Sequence, residues 1–170
     1  MTALFALMLT GFLQSASPDP FLLQAQVQGL YDEMSQAALQ FGTESDIDDF
    51  YGALYTSDWS MTDAKGQQHT WPEVRQQEVA ALSQPKSDAL RQAIQKFSLV
   101  PGGASVIVLR TDVRNIVDNE GKYGPVGKAH VIAEQTLFHD EWVGEGEHWK
   151  LKSRQQEGPT KILVDKTDEG

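Results

Sequence analysis

LYTSDWSMTDAKG, residues 54–66, changes period midway. Leu54 and Tyr55 close a helix-like apolar pattern, and from Trp59 the spacing becomes two: Trp59, Met61 and Asp63 alternate with Ser60 and Thr62. A period of two is that of a strand whose side chains point to opposite faces, so Asp63 shares a face with Trp59 and Met61. The AKG that follows is a turn. A carboxylate at the end of an apolar strand face has two uses. It can stand in a cavity, where lost hydration raises its pKa and makes it a better base. Or it can accept backbone N–H groups and cap the AKG turn.

The elements before and after decide what this strand belongs to. Asp19 and Pro20 have the order of a helix cap and first-turn proline. Leu23, Val27, Leu30, Met34, Ala38 and Phe41 then recur at three- and four-residue steps as far as Gly42, which predicts one long amphipathic helix. A second helix is predicted from about Ser45, with Ile47, Phe50, Tyr51 and Leu54 inward. The acidic run ESDIDD (44–49) reads as its first turn, because it lacks the alternating ligands and central glycine of a calcium loop. Thr70 and Glu73 have capping-box spacing around Pro72, predicting a third helix over 71–82, and 87–97 is read as a further helical piece. After PGG (101–103) come ASVIVLRTDVRNIV, HVIAEQTLFHDEWV and HWKLKSRQQ, separated by the turns DNEG and GEGE. These are long, Val- and Ile-rich strands of an antiparallel meander. Helices first and sheet second define an α+β domain, here residues 20–157, with 158–170 as a C-terminal tail.

Composition excludes several functions. The chain has 170 residues, enough for one ordinary core, and 24 acidic against 14 basic side chains give a net charge of -10. That charge repels a phosphate backbone, so nucleic acid is not an expected partner. With no cysteine, disulfides, thiolate metal sites and a cysteine nucleophile are excluded together. His130, His139, Asp140 and His148 are spaced for no single face, so no metal is predicted, and no cofactor is called for. ALFALMLTGFL (3–13) followed by QSASPDP has the order of a signal peptide, and residues 1–16 are read as one. The apolar run is too short for a stable membrane span, which takes about 20 residues. The expected location is periplasmic or secreted.

LYTSDWSMTDAKG after the second helix and WVGEGEHWKL (142–151), whose Trp142 and Trp149 bracket the last hairpin, resemble the nuclear transport factor 2-like superfamily, in its SnoaL-like and ketosteroid isomerase-like branch. The order of elements agrees from Phe21 to Gln156. The resemblance implies a cone: a curved antiparallel sheet packed on N-terminal helices, a cystatin-like α+β barrel, with an apolar pocket. It implies Asp63 as general base, with His139 as its partner. In the isomerases a tyrosine stands where this chain has Met34, with Tyr31 nearly one turn earlier, and a protonated acid stands where His139 falls. The loss of those two donors argues against steroid isomerisation. From the residues alone, His139 can equally face outward from its strand.

The implied ligand-binding residues are Tyr31, Met34, Trp59, Met61, Phe138, Asp140 and Trp142. The expected function is an exported binding or accessory domain for a small apolar or amphipathic molecule. The alternative is an isomerase, hydratase or cyclase-like enzyme using Asp63. Apolar residues on both faces of HVIAEQTLFHDEWV, together with the family habit of pairing through the sheet, predict a homodimer.

Overall fold

A computed structural model describes residues 19–145 and 148–165. The expected signal peptide lies outside the described residues. Helix α1 (Pro20–Gln40) opens on Asp19, whose carboxylate accepts from the Phe21 amide at 2.9 Å. Its buried stripe, Val27, Tyr31, Met34 and Ser35, follows the three- and four-residue steps of one helix face. Helix α2 (Glu44–Leu54) begins with a capping box between Thr43 and Asp46, so the acidic run is a helix start. Helix α3 (Trp71–Ala81) is capped in the same way by Thr70 and Glu73.

Seven strands follow or interleave: β1 (Tyr55–Thr62), β2 (Gln68–Thr70), β3 (Ala89–Val100), β4 (Gly103–Asp118), β5 (Lys128–Glu145), β6 (His148–Gln156) and β7 (Lys161–Val164). Their order is β2-β1-β6-β5-β4-β3, with β7 paired to β5. The α+β class stands. Three of the expectations are corrected. The segment predicted as a helix over 87–97 is strand β3: ALRQAIQK is rich in helix formers, but pairing with β4 from Ala89 to Val100 overrides that local preference. Residues 161–164 are not tail but a strand against Ile132–Gln135. The sheet is mixed and unclosed rather than an antiparallel barrel, because β1 runs parallel to β6.

Curvature comes from irregular register. Bulges fall between Ile94 and Lys96 on β3, between Tyr55 and Ser60 on β1, and at Lys152 on β6, opposite Glu141 and Trp142 of β5. Each adds local twist and bends the strand that carries it. The β5–β6 irregularity also lets Leu151 and Arg154, three residues apart, face the same side as Trp142 and Asp140. That concave side, with Val106, Val108 and Phe138, packs on the buried faces of α1 and α2. Below them Tyr51, Tyr55, Trp59 and Trp71 form one aromatic cluster, with Tyr55 and Trp59 stacked at 4.3 Å. The cone is therefore filled by side chains along this part of its length. Gln28 of α1 secures the edge strand: its amide donates to the Gln92 carbonyl at 2.8 Å and its oxygen accepts from the Ile94 N–H at 3.0 Å. Those backbone groups would otherwise lie unpaired at a sheet edge.

Candidate functional site

At the centre of the concave face Asp140 is fully buried and Arg154 is 7% exposed. The guanidinium donates to both carboxylate oxygens, Nε to Oδ1 at 2.9 Å and Nη2 to Oδ2 at 2.7 Å. Two parallel charge-assisted bonds are the strong form of this interaction. Tyr31 of α1 donates its phenol to Asp140 Oδ2 at 2.7 Å, while the Trp142 indole donates to the Tyr31 oxygen at 2.8 Å. Arg154 also reaches the Gln92 side-chain oxygen at 3.1 Å, and Gln92 continues to Ser35. Its guanidinium lies over the Phe138 ring at 4.7 Å.

Burial, reinforced by the Asp140 carboxylate, raises the Tyr31 phenol well above its ordinary pKa, so it remains a donor. Burial works against the Arg154 charge, and Asp140 more than offsets it, leaving the guanidinium firmly protonated. Every strong group in this cluster is already spoken for by another. The arrangement is suited to hold a structure, since a base or acid locked in a sealed ion pair has no proton to exchange with a substrate.

The sequence-predicted residues divide accordingly. Tyr31, Asp140 and Trp142 are brought into one network with Phe138 beneath it, and Met34 is buried in the core beside them. Trp59 lies in the aromatic cluster, with Met61 half-buried against the core. Asp63 and His139 do not pair. Asp63 lies just past β1 in the turn, where its Oδ1 accepts the amides of Lys65 and Gln67, each at 2.9 Å, and its Oδ2 is 3.3 Å from His69 Nε2. The Gln67 amide first, then His69 and Lys65, hold the Asp63 carboxyl below the usual range. The pocket-base expectation, which required a raised pKa, is corrected: the turn-capping alternative is the one the structure takes. His139 bonds Ser105 at 2.6 Å, and it alternates along β5 with the inward residues Phe138 and Asp140. Arg154 and Gln92, central to the network, were not singled out from the sequence, because nothing local in LRQAIQ or KSRQQ marks one polar residue as buried.

A different feature is open. Between α1, α2 and the start of β6 runs a groove of about 1020 Å³. Its floor is apolar, with Leu30, Phe41, Phe50, Leu54 and Trp149, and its rim carries Glu33, Asp46 and Asp49. Asp46 is engaged in the α2 cap, whereas Asp49 meets only Ser45, at 3.4 Å.

No family model matches the chain, and no curated protein does. Among solved structures it is similar to the hexachlorocyclohexane dehydrochlorinase LinA type 2, at 14% identity over 84% of this chain and 90% of that one, with a TM-score of 0.52. It is similar to the Kfla4162 protein of Kribbella flavida, at 13% identity over 81% and 91%, TM-score 0.55. A protein of Novosphingobium aromaticivorans provisionally called a scytalone dehydratase matches at 13% identity over 89% and 93%, TM-score 0.53. At such identities the likeness is one of fold alone, an α+β domain of helices on a curved sheet.

Three substitutions test these assignments. Arg154→Met leaves the Asp140 charge buried without its counterion and is expected to cost about 3–5 kcal/mol in chemical denaturation. Adding Asp140→Asn should recover part of that loss, since an amide still accepts from Tyr31 without a charge. At Asp63 the folded pKa is depressed, so its contribution is present above the unfolded value and is lost as pH falls through the folded one. Asp63→Asn should therefore lower the melting temperature near pH 7, and the gap from the parent should close in acid. Equal or higher melting of the variant at neutral pH would contradict the turn-capping role.

Proposed function

We propose that this chain is a binding domain that holds a small amphipathic molecule with a cationic end in the groove between α1 and α2. The observation that carries this reading is the pairing of an apolar floor with a carboxylate rim. Leu30, Phe41, Phe50, Leu54 and Trp149 supply a surface that gains by excluding water, while Glu33, Asp46 and Asp49 face it with His148 as the basic counterpart among the described lining residues. A net charge of -10 reinforces the preference for a cationic end over an anionic one. Binding rather than turnover is supported because Asp63 is committed to its turn and His139 to Ser105. One of the structurally similar proteins is named for an apolar substrate, hexachlorocyclohexane, which is in keeping with an apolar floor here.

Export to the periplasm or medium is part of this proposal, on the strength of residues 3–13. So is a homodimer through the outer sheet face, where Ile107, Leu109 and Leu137 alternate with inward residues and are only half-buried in the single chain. N-terminal mass spectrometry of the native protein should find a start between Ser15 and Asp19, and light scattering should give twice the chain mass. An intact Met1 or a monomer mass would remove the respective part.

Displacement of a neutral solvatochromic dye tests the groove. Octylammonium should displace it about tenfold more tightly than octyl sulfate at low salt, with the margin shrinking as salt is added. Ala53→Arg places a cation beside the floor, on an exposed helical position that tolerates it, and should abolish that preference. Equal displacement by the two amphiphiles, or an unaffected variant, would overturn the reading.

A further inference from the structure

A second recess lies at the other end of the helices, and its charge runs against that of the chain. It occupies about 270 Å³ between the C-terminal ends of α1 and α3, the connection from α3 to β3, and the concave face of β3 and β4. Its walls include Leu39, Phe41, Leu82 and Leu90, and among them stand Lys86, Arg110, Arg114 and a single carboxylate, Glu78. Among the lining residues cations outnumber carboxylates three to one, in a protein with ten more acidic than basic side chains, and Asp112 stands beside Arg110 and Arg114 at 3.8 and 3.5 Å. Two of the three cations are occupied. Lys86 donates to the Leu39 and Phe41 carbonyls, closing the end of α1, and Arg114 pairs with Glu134 at 2.9 Å. Among the described residues Arg110 has only a long contact of 3.8 Å to Asp112, and its planar fork of donors lines the recess.

We propose that this recess binds a compact organic carboxylate, whose charged end is taken by Arg110 and whose hydrocarbon part lies against Leu39, Phe41, Leu82 and Leu90. Size and wall chemistry select the class. Pockets for drug-sized ligands run from about 300 to 1,000 Å³, so this one admits a smaller molecule. The guanidinium fork suits carboxylate and phosphate alike, but apolar walls add affinity only for an anion that carries a hydrocarbon body.

Glu78 gives the site a dependence on pH. It projects from α3 without an ion pair or hydrogen bond among the described residues. Burial raises its carboxyl pKa, and the guanidinium groups of Arg110 and Arg154 pull it part of the way back. The titratable and charged groups around it are Arg110 and Arg114 on β4 with Asp112 between them, Arg154 on β6, Lys86 in the α3–β3 connection, Tyr51 on α2 and Tyr55 on β1. The two phenols are themselves held above their ordinary pKa by burial and stay neutral. Glu78 therefore takes up its proton at a higher pH than an exposed glutamate does. Ionised, it repels a bound carboxylate. Protonated, it removes that repulsion and can donate a hydrogen bond, so affinity should rise as pH falls from 8 towards 5.

The probe is benzoate, titrated by two-dimensional amide NMR into the full chain, with benzyl alcohol and inorganic phosphate as comparators. Saturable shifts are expected at Ala81, Leu82, Leu90 and Arg110, at least about tenfold stronger for benzoate than for either comparator. Arg110→Gln should weaken benzoate binding by about tenfold or more, and Arg110→Lys, which keeps the charge but loses the fork, by less. Glu78→Gln should bind benzoate at neutral pH as tightly as the parent does in acid, with the pH dependence gone. Each variant's amide spectrum reports directly that it is folded. Shifts confined to other regions, phosphate binding as tightly as benzoate, or a folded Arg110→Gln with unchanged affinity would each overturn the proposal. None of these outcomes bears on the α1–α2 groove, which is probed by a cation.

Discussion

The Asp140–Arg154 pair is the constraint around which the rest of the chain is arranged. Two charges have been taken out of water, and such a pair is tolerated only where geometry is good and the remaining donors and acceptors are also satisfied. Here that requirement recruits one side chain from almost every layer: Tyr31 from α1, Trp142 from β5 and Gln92 from β3. The network thereby specifies how α1 sits on the sheet. A helix shifted by one residue would turn Tyr31 away and leave a buried carboxylate one donor short.

The same network reports the curl of the sheet. Arg154 and Gln92 lie on β6 and β3, three places apart in strand order. In a flat sheet those strands are about 14 Å apart and their side chains stand parallel. The Arg154–Gln92 bond closes because the register shifts of β3 and β6 bend the sheet until its two sides approach across the concave face. Curvature also decides where space remains. The middle of the cone is filled by Tyr51, Tyr55, Trp59 and the Asp140 network, so open volume is displaced to the flank of α1 and to the helix C-terminal end. The two recesses differ in charge because their walls come from different elements. α2 brings the acidic run 44–49 to one, and β4 brings Arg110 and Arg114 to the other.

What could be read locally was read well. Helices α1 and α3 announce themselves through Asp19 and the Thr70–Glu73 box, and α2 through its apolar face and acidic first turn, while the Thr43–Asp46 box that starts it emerged from the structure. The long strands after Gly103 show in their Val and Ile content. Strand β3 did not, because Ala, Leu, Arg and Gln carry a helical preference that only a ladder to β4 can override. Asp63 was ambiguous for a related reason. A strand-end carboxylate on an apolar face suits a cavity or a turn equally, and the decision rested on whether the amides of Lys65 and Gln67 would fold back on it.

By itself the sequence determined the α+β class, the caps that start α1 and α3, the inward stripe of α1 and the acidic balance of the surface, because each follows from residue type and spacing within a few positions. Only the tertiary structure decided the parallel pairing of β1 with β6, the capture of Asp140 by Arg154 and Tyr31, and the location of the open recesses. Those depend on contacts between residues separated by up to 123 positions, as for Gln26 and Trp149. Such contacts leave no local pattern, since they are set by how a curved sheet and three helices exclude water together.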